Sequence, residues 1–105
     1  VARPAVARIW EGRTRASLAD EYAAYLHENG VKKLRATPGN LGVQVFRRTR
    51  DGIAEFMTIS YWGSRDEIRA YAGNDIEKTH HLAKDPEYLL ELPPYVKHYE
   101  ILIGE

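Results

Sequence analysis

Residues 41–61, LGVQVFRRTRDGIAEFMTISY, decide the fold. An Asp-Gly pair between two β-prone runs is a strong hairpin signal, because Gly accepts a positive φ and Asp can bond its own backbone. The stretch therefore predicts a hairpin that joins Leu41–Thr49 to Ile53–Tyr61 through Arg50-Asp51-Gly52. In the second run Ile53, Glu55, Met57, Ile59 and Tyr61 alternate with Ala54, Phe56, Thr58, Ser60 and Trp62. Large apolar groups stand on both faces, which suits a sheet covered on both sides.

A helix-period segment flanks the hairpin on each side, and a further strand-like run lies at each end. Ala5–Gly12 reads as the first strand, with Val6, Arg8 and Trp10 on one face and Ala5, Ala7, Ile9 and Glu11 on the other. Ser17 and Asp20 read as a capping-box-like helix start, and Leu18, Tyr22, Tyr25 and Leu26 as its buried stripe. Asn29-Gly30 reads as the stop, with one more helical turn over Val31–Ala36 before Pro38-Gly39-Asn40. After the hairpin, Ser64 and Glu67 form a capping box for a helix with Ile68, Tyr71 and Ala72 inside, ending at Gly73-Asn74. Asp75 is expected to cap a short helix over Ile76–His81. Lys84-Asp85-Pro86 reads as a loop, Tyr88–Leu92 as an apolar turn, and Tyr95–Ile103 as the last strand. The order is βαββαβ: an α+β, ferredoxin-like single domain over residues 1–105, with a four-stranded antiparallel sheet and helices on one face. Its other face needs a cover.

Fifteen basic and fifteen acidic residues cancel, so no long-range field favours a nucleic-acid backbone or an anionic membrane. Cysteine is absent, which removes thiol catalysis, disulfides and Cys-ligated metal. No stretch approaches the ~20 apolar residues of a membrane span. Val1-Ala2-Arg3-Pro4 lacks a signal peptide's apolar run, so the expectation is a soluble, cytoplasmic protein. RNA binding, open to this topology, is disfavoured by the missing RNP1-like pattern on the third strand.

Pro38-Gly39-Asn40, Arg47-Arg48, Glu55-Phe56, Tyr61-Trp62-Gly63-Ser64, Ala72-Gly73-Asn74-Asp75 and His98-Tyr99-Glu100 stand in an order that resembles the antibiotic biosynthesis monooxygenase (ABM) family, from Val6 to Leu102. The resemblance implies a homodimer whose sheets pack face to face into a dimeric α+β barrel. It also implies one of several activities. Some members oxidise polycyclic aromatics with O₂ without metal or flavin, related ones degrade haem, and many have no assigned activity.

Four histidines are candidates for chemistry. His80 and His81 are adjacent, so in regular structure they diverge and cannot chelate one metal together. One reading places them at a partly exposed helix end. The resemblance gives another: His81 follows Tyr71 by ten residues, the spacing between an aromatic and the haem-ligating histidine in haem-degrading relatives. Those relatives have tryptophan where Tyr71 stands, and an asparagine on the first strand that Ala5–Gly12 lacks. Trp62 is either a core aromatic or a substrate contact. His98 is a core or interface histidine, or a second candidate base. The expected site is a cleft lined by Trp10, Phe56, Trp62 and Tyr71, with His98 and one of His80 or His81 as proton acceptor. It would take a small flat aromatic ligand by stacking. The expected function is oxygenation of that ligand with O₂, with no metal and no cofactor. The alternatives are haem binding or degradation, and a non-catalytic dimeric binding module.

Overall fold

The computed structural model describes residues 3–105; Val1 and Ala2 lie outside the described residues. The hairpin forms as the sequence predicts. Strands β2 (Asn40–Arg50) and β3 (Ile53–Trp62) pair antiparallel from Arg50↔Ile53 onward. The two-residue turn between them has Asp51 at φ 53° and Gly52 at φ 75°. Both values lie in the left-handed region that a type I′ hairpin turn requires. β1 (Val6–Arg15) pairs antiparallel with β3 from Val6↔Trp62 to Arg15↔Ile53, and β4 (Lys97–Glu100) adds to the other edge of β1. The sheet order is β2-β3-β1-β4. This is the ferredoxin-like arrangement, and its helices cover one face of an antiparallel sheet.

Register assigns every strand residue to a face. Val6, Arg8, Trp10, Gly12 and Thr14 of β1 stand opposite Trp62, Ser60, Thr58, Phe56 and Ala54 of β3. These face the helices. Ile9, Glu11 and Arg13 stand opposite Ile59, Met57 and Glu55, on the open face.

The helical layer departs from the sequence reading in four places. Ser17 makes no cap: it lies within a short 3₁₀ turn, Ala16–Leu18, that leads into α1 (Ala19–Leu26) with no side-chain capping bond. Asn29-Gly30 does not stop the helix. The chain passes through a π turn, His27–Val31, into α2 (Lys32–Ala36), and Gly30 is buried. Ile76–His81 is not helical. Its backbone is held by neighbours instead, with Thr79 N donating to Pro94 O at 2.9 Å and Val96 N to Glu77 O at 2.9 Å. Lys84-Asp85-Pro86 is the start of a one-turn helix, α4 (Asp85–Tyr88), with Pro86 in the first turn where its missing N–H costs nothing. The last strand is also shorter than Tyr95–Ile103, since only Lys97–Glu100 has partners on β1. Ser64 does cap the next helix: its Oγ accepts from Glu67 N at 3.4 Å at the start of α3 (Arg65–Ala72).

The core is divided. One cluster joins Ala19, Tyr22 and Leu26 to Ala54, Phe56 and Leu89. A second joins Val6 and Leu34 to Trp62, Ile68 and Ile76. No helix among the described residues is long and apolar enough to cross a membrane.

Candidate functional site

A cavity of about 50 Å³, open to solvent on one side, separates the two core clusters. Its apolar walls come from both sides: Trp10, Tyr22, Leu26 and Leu82 from the first cluster, Leu34 and Tyr71 from the second. Its polar residues are Arg8, Thr58, Ser60, His80 and Asp85.

Each wall has a local cause. Trp10 folds back along β1 because residue 12 is Gly. A Cβ on Gly12 would lie 2.5 Å from Trp10 Cη2, so only glycine leaves the indole that room. Tyr22 packs edge-on to Phe56 at 5.2 Å, and its hydroxyl donates to Asp85 Oδ1 at 3.0 Å. Burial first, and Asp85 second, push the Tyr22 phenol well above its ordinary value. Asp85 Oδ2 in turn accepts from Leu82 N at 2.9 Å. Tyr71 is reached by two cations: Arg8 Cζ lies 5.9 Å and Lys33 Nζ 5.8 Å from its ring centre. His80 leans on the same ring with centroids 5.0 Å apart, and its Nε2 is 3.1 Å from Lys33 Nζ. Burial first, then the charge of Lys33, lower the His80 pKa, so the imidazole is neutral at pH 7.

The sequence-derived candidates separate into three groups. Trp10, Tyr71 and His80 meet at the cavity. Phe56 and Trp62 stand behind its wall. Phe56 supports Tyr22, and fully buried Trp62 donates from Nε1 to Ser60 Oγ at 2.9 Å. His81 and His98 do not line the cavity. His81 Nδ1 lies 3.9 Å from Asp85 Oδ2. The His98 side chain is 1% exposed, with Nε2 3.2 Å from Arg8 Nη1 and Nδ1 3.5 Å from Glu77 Oε1. Nε2 must therefore accept from the guanidinium, which puts the proton of neutral His98 on Nδ1, facing Glu77.

Sequence reasoning missed Arg8, Thr58, Ser60 and Asp85 as lining residues. The signal for Arg8 was present: a charged residue on the Val6/Trp10 face of β1. It sits inside, 4% exposed, where it donates to the Ile76 carbonyl and, at 3.4 Å, to the Lys78 carbonyl. Among the described residues no three His, Asp or Glu side chains converge as a metal site.

A ferredoxin-like domain with an aromatic-walled cavity between sheet and helices is a class shared by binding proteins and oxidative enzymes. The family model described as antibiotic biosynthesis monooxygenase matches residues 5–83, and the chain belongs to that family. No curated protein matches. Solved structures share the fold at low identity. A Nitrosomonas europaea protein of unknown function has a TM-score of 0.69 at 13% identity, covering 97% of this chain and 93% of its own. A candidate antibiotic biosynthesis monooxygenase from Bacillus cereus has a TM-score of 0.64 at 12% identity, covering 98% of each chain. The haem degrader MhuD from Mycobacterium tuberculosis, solved with two haems in its active site, has a TM-score of 0.61 at 18% identity, covering 95% of this chain and 98% of its own.

Proposed function

We propose that this protein oxygenates a small, electron-rich aromatic compound with O₂ in the cavity between its two core clusters. One observation carries the reading: an aromatic-walled cavity with a neutral imidazole, His80, at its rim. Stacking on Trp10 and Tyr71 would hold a flat ring. His80 would take a proton from an anthrone- or quinol-type substrate once its Nε2, which accepts from Lys33 here, is released to the ligand. For an anthrone, the resulting carbanion forms a C–O bond with O₂. The peroxide then breaks by loss of water, which removes the second hydrogen of that carbon and leaves a quinone carbonyl. O₂ is the oxidant: one of its atoms stays on the ring and the other leaves in water.

Family membership and the likeness to a haem degrader raise haem binding as the second reading. Haem requires an axial ligand directed into the cavity. His81 does not line the cavity, its Nδ1 facing Asp85, and His80 Nε2 is engaged by Lys33 beside the Tyr71 ring. Haem ligation and proton abstraction both need an imidazole nitrogen freed toward the cavity, so the choice between them rests on the oxygen-uptake and hemin experiments below.

Assembly belongs to the same proposal. The open sheet face carries Ile9, Phe46, Met57 and Ile59 without a cover, and a second copy packed on it would complete the dimeric α+β barrel. Such an interface should bury about 2,000 Å² in total.

The test is oxygen uptake with a panel of anthrones and quinols, alongside hemin titration. We expect uptake with at least one substrate, lowered about 100-fold or more in His80→Gln. A Soret band at one equivalent of hemin with no uptake on any substrate would replace this reading with the haem one.

A further inference from the structure

Arg8 is a buried cation with no carboxylate in contact among the described residues. Its partners are two backbone carbonyls and His98, all neutral, and the Glu77 carboxylate stands on the far nitrogen of His98. A buried charge that is bonded but not neutralised is costly, and an anion placed beside it recovers that cost. Two hydroxyls share the same stretch of cavity floor. Ser60 stands directly across the β1–β3 ladder from Arg8, and Thr58 is the next residue along on that face. Thr58 is 6% exposed, lines the cavity, and its Oγ1 is buried with no hydrogen-bond partner. Ser60 Oγ accepts from Trp62 Nε1, which leaves its own proton free to donate. Three donors on two adjacent strands therefore face one space. The Asp85 carboxylate, which lines the same cavity, is occupied by Tyr22 and Leu82 and repels an anion from its own side.

We propose that Arg8, Thr58 and Ser60 form an oxyanion subsite, and that the ligand of this cavity is an aromatic compound carrying an ionised oxygen, which binds with that oxygen on the strands and its ring between Trp10 and Tyr71. The inference rests on the aromatic cavity of the proposed function and adds the charge class of its ligand. Arg8 is a binding residue here, and Trp62 a positioning residue that acts through Ser60. The Glu77–His98 pair holds the guanidinium in place without neutralising it by contact.

Calorimetric titration at pH 7.5 with 2-naphthoate and its neutral isostere 2-naphthamide tests the charge preference. 4-Nitrophenolate, followed by its absorbance, separates a phenolate source from a carboxylate one. Wild type should bind 2-naphthoate about tenfold or more tightly than 2-naphthamide, as charge-assisted hydrogen bonds require. Thr58→Val and Ser60→Ala should each reduce that preference severalfold while leaving 2-naphthamide unchanged, and Arg8→Met should abolish it. If Arg8→Met fails to fold, because it also tethers the Ile76 and Lys78 carbonyls, the two hydroxyl variants decide. Tight 4-nitrophenolate binding that falls in the same variants supports the subsite with a phenolate as its ligand. Equal affinity for 2-naphthoate and 2-naphthamide, with 4-nitrophenolate unaffected by the variants, overturns the subsite and leaves the oxygenase reading standing. No binding of any of the three overturns both.

Discussion

The two faces of the sheet are built from the same strands and leave opposite groups unsatisfied. On the helix face, Ala54, Phe56 and Trp62 are buried against helices, and the polar residues between them, Thr58 and Ser60, open onto a cavity. On the open face several charges are already paired: Arg48 meets Glu55 at 2.7 Å, and Lys97 meets Glu11 at 3.8 Å. There the apolar groups lack partners. Phe46 is 48% exposed and Tyr99 52%, beside half-buried Met57 and Ile59. Unmet polar capacity in a partly enclosed cavity calls for a ligand, whereas unmet apolar area on a broad surface calls for another protein surface. Alternation along β3 sorts the two demands, one residue at a time, onto opposite sides of the chain.

The largest effect should come from Trp62→Ala. Trp62 is fully buried among Val6, Leu34, Ile68 and Ile76, and its loss leaves a large void. Urea unfolding should show a loss of about 3–5 kcal/mol. An equal cost for Phe46→Ala in a chain that is monomeric would mean that the open face needs no second copy. The next largest effect should be on association. Ile59→Asp places a carboxylate at the middle of the open face, opposite Ile9. Burying that charge unpaired against another copy would cost several kcal/mol. Light scattering should give a dimer mass for wild type and a monomer mass for the variant, with the cavity on the reverse face still binding its ligand. A wild-type monomer at micromolar concentration would sink the assembly.

A smaller effect separates the faces by pH. His98 belongs to the helix face, and its pKa is lowered by burial first, then by the charges of Arg8 and Arg65, against an opposing pull from Glu77. The unfolded chain then binds this proton more readily than the native one. The stability His98 contributes is therefore complete above about pH 6.5 and is lost as pH falls toward the lowered native value. His80 carries a shift of the same sign. Denaturation midpoints between pH 7.5 and 5 should fall in wild type and fall less steeply in His98→Gln. An unchanged slope in the variant would remove His98 from the account.

What the sequence disclosed follows the range of the forces involved. The Asp51-Gly52 turn, the Ser64 cap and the alternation of β3 depend on neighbouring residues, and they were legible. The misreadings at Ser17 and Asn29-Gly30 are local, while others lie where residues elsewhere in the chain supply the partners. Ile76–His81 reads as helical by itself, but bonds to Pro94 and Arg8 hold it as a turn followed by irregular backbone. Asp85 reads as a loop residue because its partners, Tyr22 and Leu82, become visible only once α4 has docked. The site was legible in part for the same reason. Trp10, Tyr71 and His80 announce themselves by residue type. Thr58 and Ser60 look like ordinary strand positions until the ladder places them beside Arg8.

The smallest effect concerns Gly30, where a helix stop was expected and a π turn occurs. π turns inside helices often accompany functional sites, and this one brings Gly30 to the cavity wall. A Cβ added there would meet Leu26 Cδ1 at 3.1 Å and Leu82 Cδ1 at 3.4 Å, both of them flexible side-chain ends that also line the cavity. Two terms then oppose each other in Gly30→Ala. Alanine gains up to about 1 kcal/mol of helix propensity over glycine, while the added methyl crowds Leu26 and must displace it by a few tenths of an ångström. The net change in stability should stay within about 1 kcal/mol. The displaced leucine has the cavity to move into, so the variant should bind an aromatic ligand several-fold more weakly at nearly unchanged stability. Unfolding curves and a ligand titration on the same preparation separate the two terms. If affinity stays at the wild-type value, the ligand does not reach the α1–α2 wall. The cavity would then be occupied only from the Arg8 side, and Leu26 and Leu82 would be core residues alone.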